Sequence, residues 1–284
     1  MQRFNKKSVF TKNSNNKNFK KMKKITLTTC AILIMAFFSA TAQTTEIRNL
    51  SGFTQVSFSV SGNLNIRIGS EFKVVLEGNK DFLSEVITEV SSDRLTIKRK
   101  ETENGWFWNR GRNRFEFNNE KITVNITMPA ISGLSVTGSG TAEVFDSLIT
   151  GSLSLSVTGS GRLILNDLSN EDLNCSVSGS GDIIINNVSG KNLNCRITGS
   201  GDISIKGNGS FDKADIGITG SGDYTGESLK LETASISVTG SGNCNCNVTN
   251  LLEARITGSG NITYLGNPSR LDSRSTGSGR IRPK

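Results

Sequence analysis

The sequence contains no histidine, only 2 tryptophans and, beyond residue 42, no apolar run long enough to cross a membrane. The first absence removes the imidazole nitrogen that metal centres commonly use, so the pair Cys244 and Cys246 lacks His partners for a metal site. The last leaves no spanning helix, which takes about 20 apolar residues. Positive charge is missing as well, although the total of +8 hides it. Residues 1–42 carry nine Lys or Arg and no acid, and the remainder has 24 basic against 25 acidic residues, a net of −1. A chain without a positive excess has little to neutralise a phosphate backbone, which argues against a nucleic-acid partner.

Residues 1–42 read as a leader. Lys23-Lys24 opens onto the largely apolar run Ile25 to Phe38, and Ala40-Thr41-Ala42 follows. A basic region, a short apolar core and an Ala-x-Ala site make a secretory signal peptide. Met22 is a second candidate start, and the processed chain is expected to begin near Gln43. Cys30 stands mid-run after two threonines, which fits a lipoprotein cleavage box poorly.

What fills the rest is repetition. Gly-Ser-Gly begins at Gly138, Gly159, Gly179, Gly199, Gly220, Gly240, Gly258 and Gly277, at steps of 18 to 21 residues. Two residues before each first glycine, apart from the last, stands Val136, Val157, Val177, Ile197, Ile218, Val238 or Ile256. Leu163, Ile183, Ile203 and Ile262 follow at a fixed distance after the motif, with Ser, Thr, Asn and Asp between. Alternation of this kind is a strand with one buried face, and Gly-Ser-Gly is the tight corner between two strands. A single coil of about 20 residues cannot bury its apolar face, but coils stacked about 4.8 Å apart can. The expected fold is all-β, a parallel β-helix over residues 131–284. A β-propeller is the rival, but its blades need about 40 residues and would number only about four.

Residues 43–130 lack the motif and read as a strand-rich cap. Alternating runs lie at Val56-Phe58-Val60, Leu64-Ile66-Ile68, Phe72-Val74-Leu76, Leu95-Ile97 and Ile122-Val124-Ile126-Met128. Between Asp81 and Val90 the apolar residues Phe82, Leu83, Val86, Ile87 and Val90 fit helical spacing, so a short helix is expected there.

This succession, a leader, alternating strands, the segment Ile126-Thr127-Met128-Pro129-Ala130-Ile131 and then repeated Val-Thr-Gly-Ser-Gly units, resembles a known family. It is similar to the auto-transporter adhesin head domain proteins, the head GIN domain group common in Bacteroidetes, over roughly residues 47–282. The resemblance implies secretion, a β-helical fold and an adhesin-like role, and supplies no catalytic residues. It departs from a true autotransporter where Arg280-Ile281-Arg282-Pro283-Lys284 is followed by no membrane barrel.

Four constellations are weighed for chemistry. Cys175 and Cys195 share an inward position in neighbouring coils, and Cys244 and Cys246 stand where another coil has Ile183 and Ile185. They read as small core residues, while an even count in a secreted chain leaves one disulfide open. Directly after Gly-Ser-Gly, Asp182, Asp202 and Asp223 fall in consecutive coils and are candidate oxygen ligands of a calcium ion. The preferred reading is that they accept backbone N–H bonds at the corner. Asp182 and Asp202 with Arg196 would be the residues of a polysaccharide-acting enzyme, but no bulky loops interrupt the repeat to build a cleft. Lastly, Trp106, Phe107 and Trp108 lie beside Arg110, Arg112 and Arg114, types suited to stacking on a sugar or a protein surface. The alternative for that stretch is a plug for the end of the solenoid.

The expected function is therefore a secreted, non-enzymatic binding module at the periplasm, outer-membrane surface or cell exterior. Its partner would be a surface glycan or protein, with no cofactor. A polysaccharide-acting enzyme and a calcium-stabilised scaffold are the alternatives.

Overall fold

A computed structural model describes residues 43–100 and 121–284. In chain order the first elements are β1 (Thr44–Arg48), β2 (Gln55–Ser59), β3 (Gly62–Ile68), β4 (Lys73–Gly78), α1 (Lys80–Ser84), β5 (Val86–Ser91), β6 (Arg94–Arg99) and β7 (Ile122–Met128). The ladder continues with β8 (Gly133–Gly138), β9 (Thr141–Val144), β10 (Leu148–Gly159), β11 (Arg162–Gly179), β12 (Asp182–Gly199) and β13 (Asp202–Ile205). It closes with β14 (Gly209–Gly220), β15 (Tyr224–Gly240), β16 (Asn243–Gly258), β17 (Asn261–Leu265), β18 (Arg270–Gly277) and β19 (Arg280–Pro283).

Successive Gly-Ser-Gly coils pair in parallel, motif on motif: Gly159 on Gly179, Gly179 on Gly199, Gly199 on Gly220, Gly220 on Gly240. This is the parallel β-helix expected from the period, with about eight turns. Register follows from the pattern. Val157, Val177, Ile197, Ile218, Val238 and Ile256 stack as one column, each no more than 2% exposed. Burying such a side chain contributes about 1.5–3 kcal/mol, and a slip by one residue would turn the whole column outward. The column ends at Ser275 and its neighbour at Ser273, so the final coil presents polar residues where earlier coils bury Ile256 and Ala254. Terminal repeats of a solenoid are commonly polar in this way.

The corner explains the motif twice over. Gly159 has φ of +106°, and a Cβ there would come within 2.8 Å of the Gly138 carbonyl oxygen. At Gly161 the constraint is space alone, because a Cβ would meet Val136 at 2.6 Å and the Gly140 carbonyl oxygen at 2.7 Å. Between them, Ser160 donates its backbone N–H to Gly138 O at 2.8 Å, and Ser180 does the same to Gly159 O.

The strands before Ile131 share this ladder. β2 and β3 form a coil paired in parallel with β8 and β9 on one side and with β6 and β7 on the other. The first coil along the chain is thus the second in space, and β6 with β7 lies outside it. Beyond them the direction reverses: β5 pairs antiparallel with β6, β4 with β7, and β1 with β4. The antiparallel strands cover the edge a β-helix would otherwise leave open.

The helix is shorter than its spacing suggests. Asn79 caps it by accepting the Asp81 N–H at 2.8 Å, and Phe82 and Leu83 are buried, but α1 ends at Ser84. Val86, Ile87 and Val90 belong instead to β5. The β-branched residues of Val86-Ile87-Thr88 favour a pleated surface, and pairing along β6 overrides the helical spacing.

Candidate functional site

The column after each Gly-Ser-Gly is built by the corner itself, which sets Arg162, Asp182 and Asp202 in register on adjacent coils. Stacked carboxylates repel, and the structure relieves each in turn. Arg162 donates to Asp182 Oδ2 from Nη2 at 2.7 Å and from Nε at 3.1 Å. Asp202 Oδ1 accepts the backbone N–H of Asp223 at 2.8 Å, and Asp223 Oδ1 accepts that of Asn243 at 2.7 Å. Asn243 adds its side-chain amide to the same oxygen at 3.0 Å, and in turn accepts from Asn261 Nδ2 at 3.1 Å. Charge-assisted bonds to the next coil are how a carboxylate column becomes tolerable.

Arg196 is not brought to these aspartates. It sits three residues before its corner and forks onto Asp215 of the next coil, with Nη2 to Oδ2 at 2.8 Å and Nη1 to Oδ1 at 3.2 Å. Gly217, opposite Arg196, leaves room for it: a Cβ there would touch the Arg196 Cδ at 3.0 Å. The guanidinium stays firmly charged, its pKa raised by Asp215. The same diagonal pairing recurs between Arg255 and Asp272 at 2.8 Å.

The four cysteines of the described residues are buried free thiols. Cys175 lies directly on Cys195. Hydrogen bonding to Cys175, then burial, raises the Cys195 pKa well above a thiol's ordinary value. Cys246 and burial do the same for Cys244. Close to both pairs stands Tyr224, a residue that no sequence motif marks. Tyr224 is fully buried, stacked between Ile203 and Cys244, with its hydroxyl lacking any hydrogen-bond partner among the described residues. Burial pushes its phenol pKa up, and the surrounding thiols add to the shift.

Trp106, Phe107, Trp108, Arg110, Arg112 and Arg114 lie outside the described residues. Their anchors do not. β6 ends at Arg99 and β7 begins at Ile122, and the N–H of Ile122 bonds Ser61 O, the corner of the neighbouring coil, at 3.3 Å. No helix among the described residues is long and apolar enough to cross a membrane.

Parallel coils, short corners and polar side chains bonded from coil to coil define a β-solenoid. The chain belongs to the family described as "Putative auto-transporter adhesin, head GIN domain", which it matches over residues 52–186 and again over 154–268. The two matches overlap within the ladder, as self-similar coils allow. Among solved structures, a "putative adhesin" from Parabacteroides distasonis ATCC 8503 is 22% identical with a TM-score of 0.76, over 86% of this chain and 98% of that one. A "putative adhesin" from Parabacteroides merdae ATCC 43184 is 21% identical with a TM-score of 0.74, over 85% and 96%. A "putative lipid binding protein" from Parabacteroides distasonis ATCC 8503 is 23% identical with a TM-score of 0.73, over 85% and 96%. At these identities the likeness concerns the fold. No curated protein matches the chain.

Proposed function

We propose that this protein is an exported, non-enzymatic module of adhesin type that holds a glycan or protein partner at the cell surface. The observation that carries the reading is the contrast in composition between the ladder and the sequence that joins β6 to β7. Along the ladder the Gly-Ser-Gly corners are three residues long, and many outward side chains, such as Asn187, Asn192 and Asn243, bond the adjacent coil. The sequence between β6 and β7 instead holds both tryptophans and the three arginines Arg110, Arg112 and Arg114. Trp and Arg are the types that dominate binding energy at interfaces. Export is supported by the leader at residues 1–42, and the family membership supports the adhesin class. The enzyme alternative loses its basic residue, since Arg196 is committed to Asp215.

The test is Trp106→Ala with Trp108→Ala. Binding to cells or to arrayed glycans is expected to fall at least tenfold, with the thermal midpoint within about 2 °C of the parent. Unchanged binding by a well-folded double variant ends the proposal. Unfolding of that variant assigns the stretch to the cap instead.

A further inference from the structure

One face of the solenoid carries a groove of about 620 Å³ that crosses six coils, from Ser152 on β10 to Glu253 on β16. Its walls are two columns of outward side chains, and its floor is the backbone of the inward residue between them, such as Ala214 and Ala234. Asp172, Asn192 and Lys213 stand on one wall, and Asn174, Asn194 and Asp215 on the other. With coils about 4.8 Å apart, the groove runs roughly 24 Å along the axis.

The walls are fixed before any ligand arrives. Asn192 donates to Asp172 Oδ1 at 2.7 Å, Asn194 to Asn174 Oδ1 at 3.4 Å, and Arg196 holds Asp215. Side chains locked in this way lose little entropy on binding. Asn192, Asn194, Lys213 and Ser235 remain exposed, offering donors and acceptors to a ligand lying between them. The charges offset one another: Lys213 lines the groove together with Asp172 and Glu253, and the Asp215 carboxylate is paired with Arg196. A polyanion would meet Asp172 and Glu253, whereas a ligand rich in hydroxyls and free of charge meets partners on both sides. The coil spacing also sets a repeat close to the rise of one pyranose in an extended chain.

From these features we infer that the groove binds a linear neutral glycan laid along the solenoid axis, about one sugar per coil. The groove lacks an aromatic platform, so each sugar contributes little and affinity accumulates with length. This goes further than the adhesin reading, and its test leaves Trp106 and Trp108 untouched, so the two can fail separately.

The experiment is calorimetric titration of the purified protein with manno-oligosaccharides and cello-oligosaccharides of two to six sugars. At least one series is expected to bind with affinity rising at each added sugar. Asn192→Ala with Asn194→Ala should weaken the longest member at least tenfold. Asn187→Ala, which breaks the equivalent 2.8 Å bond to Asp167 outside the groove, should leave it unchanged. Ser235→Glu gives a second groove variant at an exposed side chain, expected to weaken binding likewise. The inference is overturned if neither series binds at millimolar concentration, if affinity is independent of length, or if the Asn187 and groove variants behave alike. Tighter binding of an oligouronate than of either neutral series overturns it as well.

Discussion

Tyr224 occupies the volume of two residues. Its ring takes the inward slot that Ile203 holds in the previous coil, and its hydroxyl reaches over Gly226, where a Cβ would lie only 2.5 Å from the oxygen. A buried hydroxyl without a partner keeps its desolvation cost, so Tyr224→Phe is expected to be neutral or to stabilise by about 1 kcal/mol. For a domain of this size that is a rise of about 2–4 °C in thermal midpoint. A fall of several degrees would show that the hydroxyl is satisfied in solution. The same neighbourhood fixes a pH dependence. Cys195, Cys244 and Tyr224 have folded-state pKa values raised above their unfolded ones, so the neutral forms belong to the native state. Their contribution is fully present below the unfolded values and is lost as pH rises past them. The thermal midpoint should therefore be flat with respect to these groups from about pH 6 to 8 and fall above about pH 9. Cys195→Val should make that alkaline decline shallower, measured by thermal melts across the range.

Within a coil, the corner sets what substitutions cost. Gly161→Ala places a methyl group against Val136 and a carbonyl oxygen, neither the tip of a flexible side chain. Overpacking of that kind costs about 1–3 kcal/mol, so a midpoint several degrees lower is expected. Ser160→Ala, one residue away, keeps the backbone bond to Gly138 O and should shift the midpoint by less than about 2 °C. Equal effects at the two positions would mean that corner-to-corner contact is not what selects glycine. The need for positive φ was legible in the sequence, since Gly recurs where strands turn. The close approach at the third motif position was not, because it depends on the coil beneath. Helical spacing misled at Val86 and Ile87 for a related reason: local period competes with a partner strand that lies elsewhere in the chain.

For the molecule as a whole, the acidic column offers a decisive measurement. Asp202 and Asp223 already accept backbone N–H groups, and Asp182 is held by Arg162. Chelation is accordingly expected to leave the thermal midpoint unchanged to within about 2 °C. A larger drop, restored by added calcium, would establish the calcium-stabilised scaffold through linkage to the folded state. By itself the sequence determined the coil, its period and its inward columns. Alternation fixes which side chains face in, and a constant step makes like residues coincide when coils stack, so parallel pairing of Val157 on Val177 follows. Tertiary structure alone decided that β6 and β7 lie outside β2 and β3, and that antiparallel strands cover that end. It also decided that Arg196 pairs with Asp215 rather than with the corner aspartates, and that two outward columns form a groove. Apart from the β5–β6 hairpin, each of these depends on contacts between residues about twenty to eighty positions apart, whose geometry no local pattern encodes.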